Sequence, residues 1–206
     1  MKDIEKIKVL VKEIQNLFFR KKFILIIQET QKAIKKYPTV SVFYNMLGLA
    51  LSKIGKFSEA QVCLEEGYKV NPNDLAIINN LANVYKSFFK YKDSEELYKL
   101  SISKKKDYFN AYVNYGNLKR DLNKFDEAIE LYKEALKYNQ NVSAVYYSLS
   151  MAYQSLGKFK EAEHYADKTI ELDKKYTKAD LLISRSRRYS NKDQHLNDML
   201  NKSKNE

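Results

Sequence analysis

The chain has 206 residues, 44% of them hydrophobic, and 37 Lys and Arg against 26 Asp and Glu give a formal net charge of +11; this is enough apolar material for a buried core and argues against disorder. Only 5 Gly and 2 Pro are present, which argues against a turn-rich β-fold and for long uninterrupted helices. One cysteine, Cys63, and two histidines, His164 and His195, exclude an internal disulfide and a Cys-pair zinc site and supply His-rich metal centres poorly.

The opening MKDIEKIKVLVKEI alternates charge and hydrophobe at helical spacing and has no small-residue cleavage site. A helix is expected there, not a signal peptide. The longest apolar run, Phe23 to Ile27, is far too short to span a bilayer. A cytoplasmic, reducing location is the expectation. From here the chain repeats itself. A lysine followed by an aromatic recurs at Lys22-Phe23, Lys56-Phe57, Lys90-Tyr91, Lys124-Phe125 and Lys158-Phe159, each step 34 residues. Take repeats over 7–40, 41–74, 75–108, 109–142 and 143–176. Pro38 and Pro72 then fall at repeat position 32. The glycines fall on three positions: Gly48 and Gly116 at 8, Gly55 and Gly157 at 15, and Gly67 at 27.

Each repeat reads as two helices. Its first 14 positions carry apolar residues at helical spacing, as in Tyr44, Leu47 and Leu51. Position 15 is a helix end, where Gly takes a left-handed conformation without a Cβ penalty. The aromatic at 17 begins the second helix, whose apolar stripe runs through Ala128, Tyr132, Ala135 and Leu136 in the fourth repeat. Ser58 with Gln61, and Asp93 with Glu96, are spaced as capping boxes for that helix. Small residues at 8 and 20 let the helices approach, and large ones at 4, 11, 17 and 24 fill the space between them. One pair buries little alone, so neighbours must stack.

These residues resemble the tetratricopeptide repeat family. Tyr44, Leu47-Gly48, Leu51, Gly55, Phe57, Ala60, Leu64, Gly67 and Pro72 carry the best match, and Tyr146, Leu149, Tyr153, Gly157, Phe159 and Ala162 a second. The first copy departs from the pattern at Glu13 and Ile26, the third at Phe89 and Lys106. The resemblance implies an all-α, right-handed superhelical solenoid of antiparallel helix pairs over 1–190, with about five repeats and a capping helix at about 177–190. A polar tail with a short helix is expected over 191–206. Arg187 and Arg188 sit where earlier repeats prefer Tyr, Leu or Lys, as suits a cap with a polar outer face. The stretch ADLLISRSRRYSNKDQHLNDM is similar to the segment that follows the repeats in bacterial tetratricopeptide proteins continuing into a sulfotransferase domain. That likeness implies an alternative: the substrate-recruiting part of a longer sulfotransferase-like or glycosyltransferase-like enzyme.

The charge is concentrated at the two ends. Residues 1–40 carry +6 and residues 177–206 carry +3, against +2 over 41–108 and zero over 109–176. A groove tracking phosphates would need charge in every repeat, so nucleic acid is not the expected partner. Most tyrosines fall at core positions, which removes them as base-stacking platforms.

The family's first helices line a concave groove, and this implies a peptide-binding set. Positions 2, 5, 6, 9 and 12 place Asn79, Asn80, Asn83 and Lys86 there from the third repeat, and Asn110, Asn114, Asn117 and Arg120 from the fourth. A side-chain amide offers both a donor and an acceptor, so it can pair with a peptide's own N–H and C=O. The set resembles the asparagine ladder of the O-linked N-acetylglucosamine transferases. Met46, Leu49, Ser148 and Met151 flank it, an arrangement read as a short ladder with apolar pockets at both ends. The Lys-and-Asn clamp for a terminal carboxylate is not reproduced, because Leu49 and Ala144 occupy its positions. Lys86 and Arg120 would favour acidic partners. Cys63 reads as a packing residue with no histidine to activate it, and His164 as surface. The pairs Glu65-Glu66, Glu95-Glu96 and Asp126-Glu127 read as solvated. No catalytic residue, metal or cofactor is expected, and the function indicated is a protein–protein interaction scaffold.

Overall fold

The computed structural model describes residues 2–186 and 194–203, and every regular element among them is an α-helix. In chain order these are α1 Lys2–Phe19, α2 Phe23–Lys36, α3 Ser41–Lys53, α4 Phe57–Val70, α5 Leu75–Ser87, α6 Tyr91–Lys104, α7 Phe109–Asp121, α8 Phe125–Tyr138, α9 Ser143–Ser155, α10 Phe159–Leu172, α11 Thr177–Ser186 and α12 Gln194–Ser203. The starts of α3, α5, α7 and α9 are 34 residues apart. Arg187 and Arg188 lie outside the described residues.

The turn inside each pair explains the period. Position 15 has a left-handed backbone in all five copies: Lys21 (φ 54°), Gly55 (80°), Phe89 (59°), Asn123 (59°) and Gly157 (71°). Its N–H and the next one reach back to close a double hydrogen bond on the last helical turn. In the second copy Gly55 N–H donates to the Ser52 carbonyl at 3.2 Å and Lys56 N–H to the Leu51 carbonyl at 2.9 Å. Gly and Asn adopt this conformation readily; for Phe89 it is strained.

Only position 16 then separates the two helices. It is Lys in every copy, and its side chain makes no cap hydrogen bond. The expected capping boxes are therefore not formed. Ser58 and Gln61 lie inside α4, where Gln61 Nε2 donates to Glu65 Oε1 at 2.7 Å, and Asp93 and Glu96 lie inside α6. The tight turn leaves no room for a separate capping residue after the aromatic.

Caps occur instead at the loops between pairs. The Asn71, Asn139 and Asp173 carboxamide and carboxylate oxygens accept from the backbone N–H two residues on. Asp74 accepts from the N–H groups of Ala76 and Ile77 at the start of α5, and from the Ser41 hydroxyl at 2.9 Å.

The chain forms two compact units, residues 1–114 and 115–206. Two clusters of buried side chains order the N-terminal helices of the first unit. One, built on Ile14, Ile26, Ala33, Phe43, Met46 and Ala50, holds α1, α2 and α3 together; the other, built on Tyr44, Leu47, Leu64, Ile77, Leu81 and Val84, joins α3, α4 and α5. In the second unit Leu118, Tyr132, Leu149, Ala162 and Ala166 are buried, and α11 packs on α10 while burying Ala179, Leu182 and Ile183.

Positions 8 and 20 meet inside each unit. The Ser94 hydroxyl donates to the Ala82 carbonyl at 2.8 Å, and the Ser150 hydroxyl to the Ala162 carbonyl. A Cβ added to Gly116 would lie 2.6 Å from the buried ring of Tyr132. Gly116→Ala is expected to destabilise the fold by about 1–3 kcal/mol, because a packed ring must move. Ser101 shows the reverse. It is buried and its hydroxyl has no partner, at a position held by Ala33 and Ala135 in other copies. Ser101→Ala should raise stability by about 1 kcal/mol. Chemical denaturation midpoints of the two variants, moving in opposite directions, check both.

Candidate functional site

The first helices of the first unit are joined by amides. Asn80 Nδ2 on α5 donates to Asn45 Oδ1 on α3 at 2.8 Å, and Asn114 Nδ2 on α7 to Asn79 Oδ1 on α5 at 3.2 Å. Each rung runs from position 6 of one repeat to position 5 of the repeat before. Among the described residues both amides of a rung keep one unused function: Oδ1 on Asn80 and Asn114, Nδ2 on Asn45 and Asn79. Asn45 is the residue that sequence reasoning missed. Its signal was available, since it shares position 5 with Asn79.

Position 9 has a second task. The Tyr98 hydroxyl donates to Asn83 Oδ1 at 2.6 Å, and in the second unit the Tyr132 hydroxyl donates to Asn117 Oδ1 at 2.8 Å. Both tyrosines are fully buried on second helices. Desolvation pushes the Tyr132 hydroxyl up to about 12, so it stays a donor at any ordinary pH. The bond fixes each asparagine by its oxygen and leaves its two Nδ2 protons without a partner among the described residues.

The remaining members of the expected set differ in environment. Asn79 is buried and Asn110 exposed, and Asn80, Asn83, Asn114 and Asn117 are half-buried. Lys86 is half-buried on α5. Arg120 has Nη2 3.2 Å from Asp121 Oδ1, which offsets part of its charge. The structure brings Asn79 to Asn114 and Asn80 to Asn45; Asn117 and Arg120 belong to the second unit. The expected apolar pocket at Met46 is absent, because that side chain is buried in the core with Ile14 and Phe43. Lys119 departs from the expected pattern as well. It occupies core position 11, buried, with Nζ 2.7 Å from Glu127 Oε2 and 5.1 Å from the centre of the Tyr115 ring. The Lys119 hydrogen bond holds the Glu127 carboxyl below its usual range against an opposing burial effect, with Lys124 helping.

A cavity of about 550 Å³ opens between α2, α3 and α4, floored by Tyr44, Leu47, Leu51 and Cys63 and rimmed by Lys35, Glu59 and Glu66. The Cys63 thiol donates to the Tyr44 carbonyl at 3.4 Å. Burial, with Glu66 nearby, pushes it up to about 12, so it is a protonated packing group and no nucleophile. His164 is exposed, and the side chain of His195 lies outside the described residues. Among the described residues no group of three His, Cys, Asp or Glu could hold a metal ion, and no helix is long and apolar enough to cross a membrane.

Helix pairs at a 34-residue period, closed by a left-handed residue and joined through their first helices, define an α-solenoid repeat protein. The sequence matches two family models: tetratricopeptide repeat over residues 107–175, and the N-terminal tetratricopeptide repeats region of psidin over residues 20–120. The chain belongs to the tetratricopeptide repeat family. A protein of Pyropia yezoensis, the uncharacterized protein ycf37, is 33% identical over 88 residues, which are 38% of this chain and 49% of that protein. The chain thus spans about half the length of this curated relative. Solved structures share the fold. TTC0263, a thermophilic tetratricopeptide protein of Thermus thermophilus, superposes with a TM-score of 0.77 at 16% identity, over 87% of this chain and 97% of its own. The Cut9–Hcn1 structure of the APC/C gives 0.78 at 16% over 87% and 36%, and the MamA protein 0.62 at 20% over 83% and 93%.

The two ends of the Tyr98–Asn83 bond are not equivalent. Tyr98→Phe frees an oxygen that water can reach and is expected to cost about 1 kcal/mol. Asn83→Ala removes an acceptor from a hydroxyl on a fully buried tyrosine and should cost about 1–3 kcal/mol. Equilibrium denaturation of both single variants gives the comparison.

Proposed function

We propose that the chain is a protein–protein interaction scaffold that holds an extended partner segment on the first-helix amides. The observation that carries this reading is the amide rungs, in which internal bonding consumes one function of each side chain and leaves the other. Asn80 and Asn114 then present acceptors, and Asn83 presents donors. A peptide backbone alternates N–H and C=O, so this set matches it without reading side chains. Asn110, exposed on α7, extends the set, and Asn117 offers the same donor in the second unit. Lys86 and Arg120 would draw a segment that carries acidic residues. Proteins with this fold present such faces to partners, and the proposal gives the chain no catalytic step.

The test separates binding from folding by leaving Asn83 and Asn117 in place, since they hold buried hydroxyls. A photoreactive residue at Lys86 captures the bound segment, and mass spectrometry identifies it. The synthetic segment is then titrated against wild type and Asn80→Ala/Asn114→Ala. We expect the double variant to keep its helical circular dichroism and to bind about tenfold more weakly, the loss of one or two net hydrogen bonds. Equal affinity removes the amides from the site.

A further inference from the structure

The turn edge of the first unit carries side chains that its repeats do not need. Helices α1, α3 and α5 each reverse into the next helix through one tight turn, and α3 and α5 lie side by side through the Asn80–Asn45 rung. Alternating antiparallel steps give the three helices one direction, so the turns at residues 20–22, 54–56 and 88–90 share one edge.

Apolar side chains stand in water on this edge. Phe19 is 89% exposed, Phe89 76%, Ile24 62% and Leu25 42%. Neither packing nor backbone accounts for Phe89. Its ring meets Tyr91 edge-on at 6.0 Å and is otherwise largely exposed, and its left-handed backbone is the conformation that Gly55 takes in the neighbouring turn. Around the first of these turns the charge has one sign. Arg20, Lys21 and Lys22 are exposed and make no ion pair among the described residues, and no acidic residue occurs from Ile14 to Gln28. Lys90 and Lys92 flank Tyr91 in the third turn, with Asp93 beside them, and in the turn between Lys56 pairs with Glu59 at 2.7 Å. A depression of about 350 Å³ lies among Lys21, Lys22, Ile24, Leu25 and Gln28, lined by both cations and hydrocarbon.

We propose that this edge docks on an anionic lipid bilayer, with Phe19, Ile24, Leu25 and Phe89 entering the interface and the flanking lysines and Arg20 meeting headgroup phosphates. The chemistry favours a bilayer over a folded protein. Apolar side chains that project from turns need a matching pocket on a protein, whereas an interface yields to them. Unpaired cations beside them gain from a negative surface potential. The first-helix amides lie along the helices and not in the turns, so docking leaves them free.

Vesicle flotation tests this with the full chain. Vesicles of phosphatidylcholine alone are compared with vesicles containing about one-third phosphatidylserine. Two variants are used: Arg20→Gln/Lys21→Asn/Lys22→Gln and Phe19→Ser/Phe89→Asn, with Asn placed where the backbone is left-handed. Wild type is expected to float with the anionic vesicles only. Each variant should bind at least about tenfold more weakly without a lower melting temperature. No flotation of wild type, equal binding to both vesicle types, or undiminished binding by either variant overturns the proposal. So does a concentration-dependent dimer in sedimentation velocity that Phe19→Ser/Phe89→Asn abolishes without any vesicle binding, which would assign the edge to a second copy of the chain.

Discussion

Everything in this molecule depends on how closely two helices of a pair can lie. The contact is made where position 8 of the first helix meets positions 20 and 24 of the second. Serine hydroxyls bridge it at Ser94–Ala82 and Ser150–Ala162, and the Tyr132 ring occupies the space that a Cβ on Gly116 would take. This approach brings the second-helix tyrosines under the first helix, where their hydroxyls reach Asn83 and Asn117. The amide face is thus built from below: the core fixes position 9 by its oxygen, and the neighbouring repeat fixes position 6 by its nitrogen. A wider pair would lose the bond at position 9.

The fold could be read from the sequence because its turns are chemically demanding. A left-handed residue followed at once by a new helix selects Gly or Asn and then an aromatic, and these residue types repeat visibly. Even the copies that break the pattern, Lys21 and Phe89, adopt the same backbone, since the helices on either side dictate it. The expected capping boxes fail for the same reason: Ser58 and Asp93 have the right spacing, but the helix has already begun at the aromatic before them.

The site was legible only in part. The asparagines at positions 6 and 9 stand out in the sequence, yet their partners do not. Asn45 pairs with a residue 35 positions on, and Tyr98 with one 15 positions back, and both depend on the register of packed helices. Lys119 illustrates the limit. A lysine at a core position reads as an error in the pattern until Glu127 and the Tyr115 ring are seen to receive it. Residue types announce backbone constraints, whereas pairings between side chains follow from packing that the types alone do not encode.

Bonds that tie one repeat to the next include Tyr85–Glu65, 20 residues apart, and Ser41–Asp74, Asn80–Asn45 and Asn114–Asn79, which span 33 to 35 residues. No helix in these links waits for a distant part of the chain before it can be stabilised. Loop-closure entropy is therefore small at every step, and folding can begin at whichever repeat is most stable and spread outward. The same locality works in reverse. Fraying is graded, with loss of one repeat felt by its neighbours first, so the molecule melts as a short one-dimensional array and not as a single block.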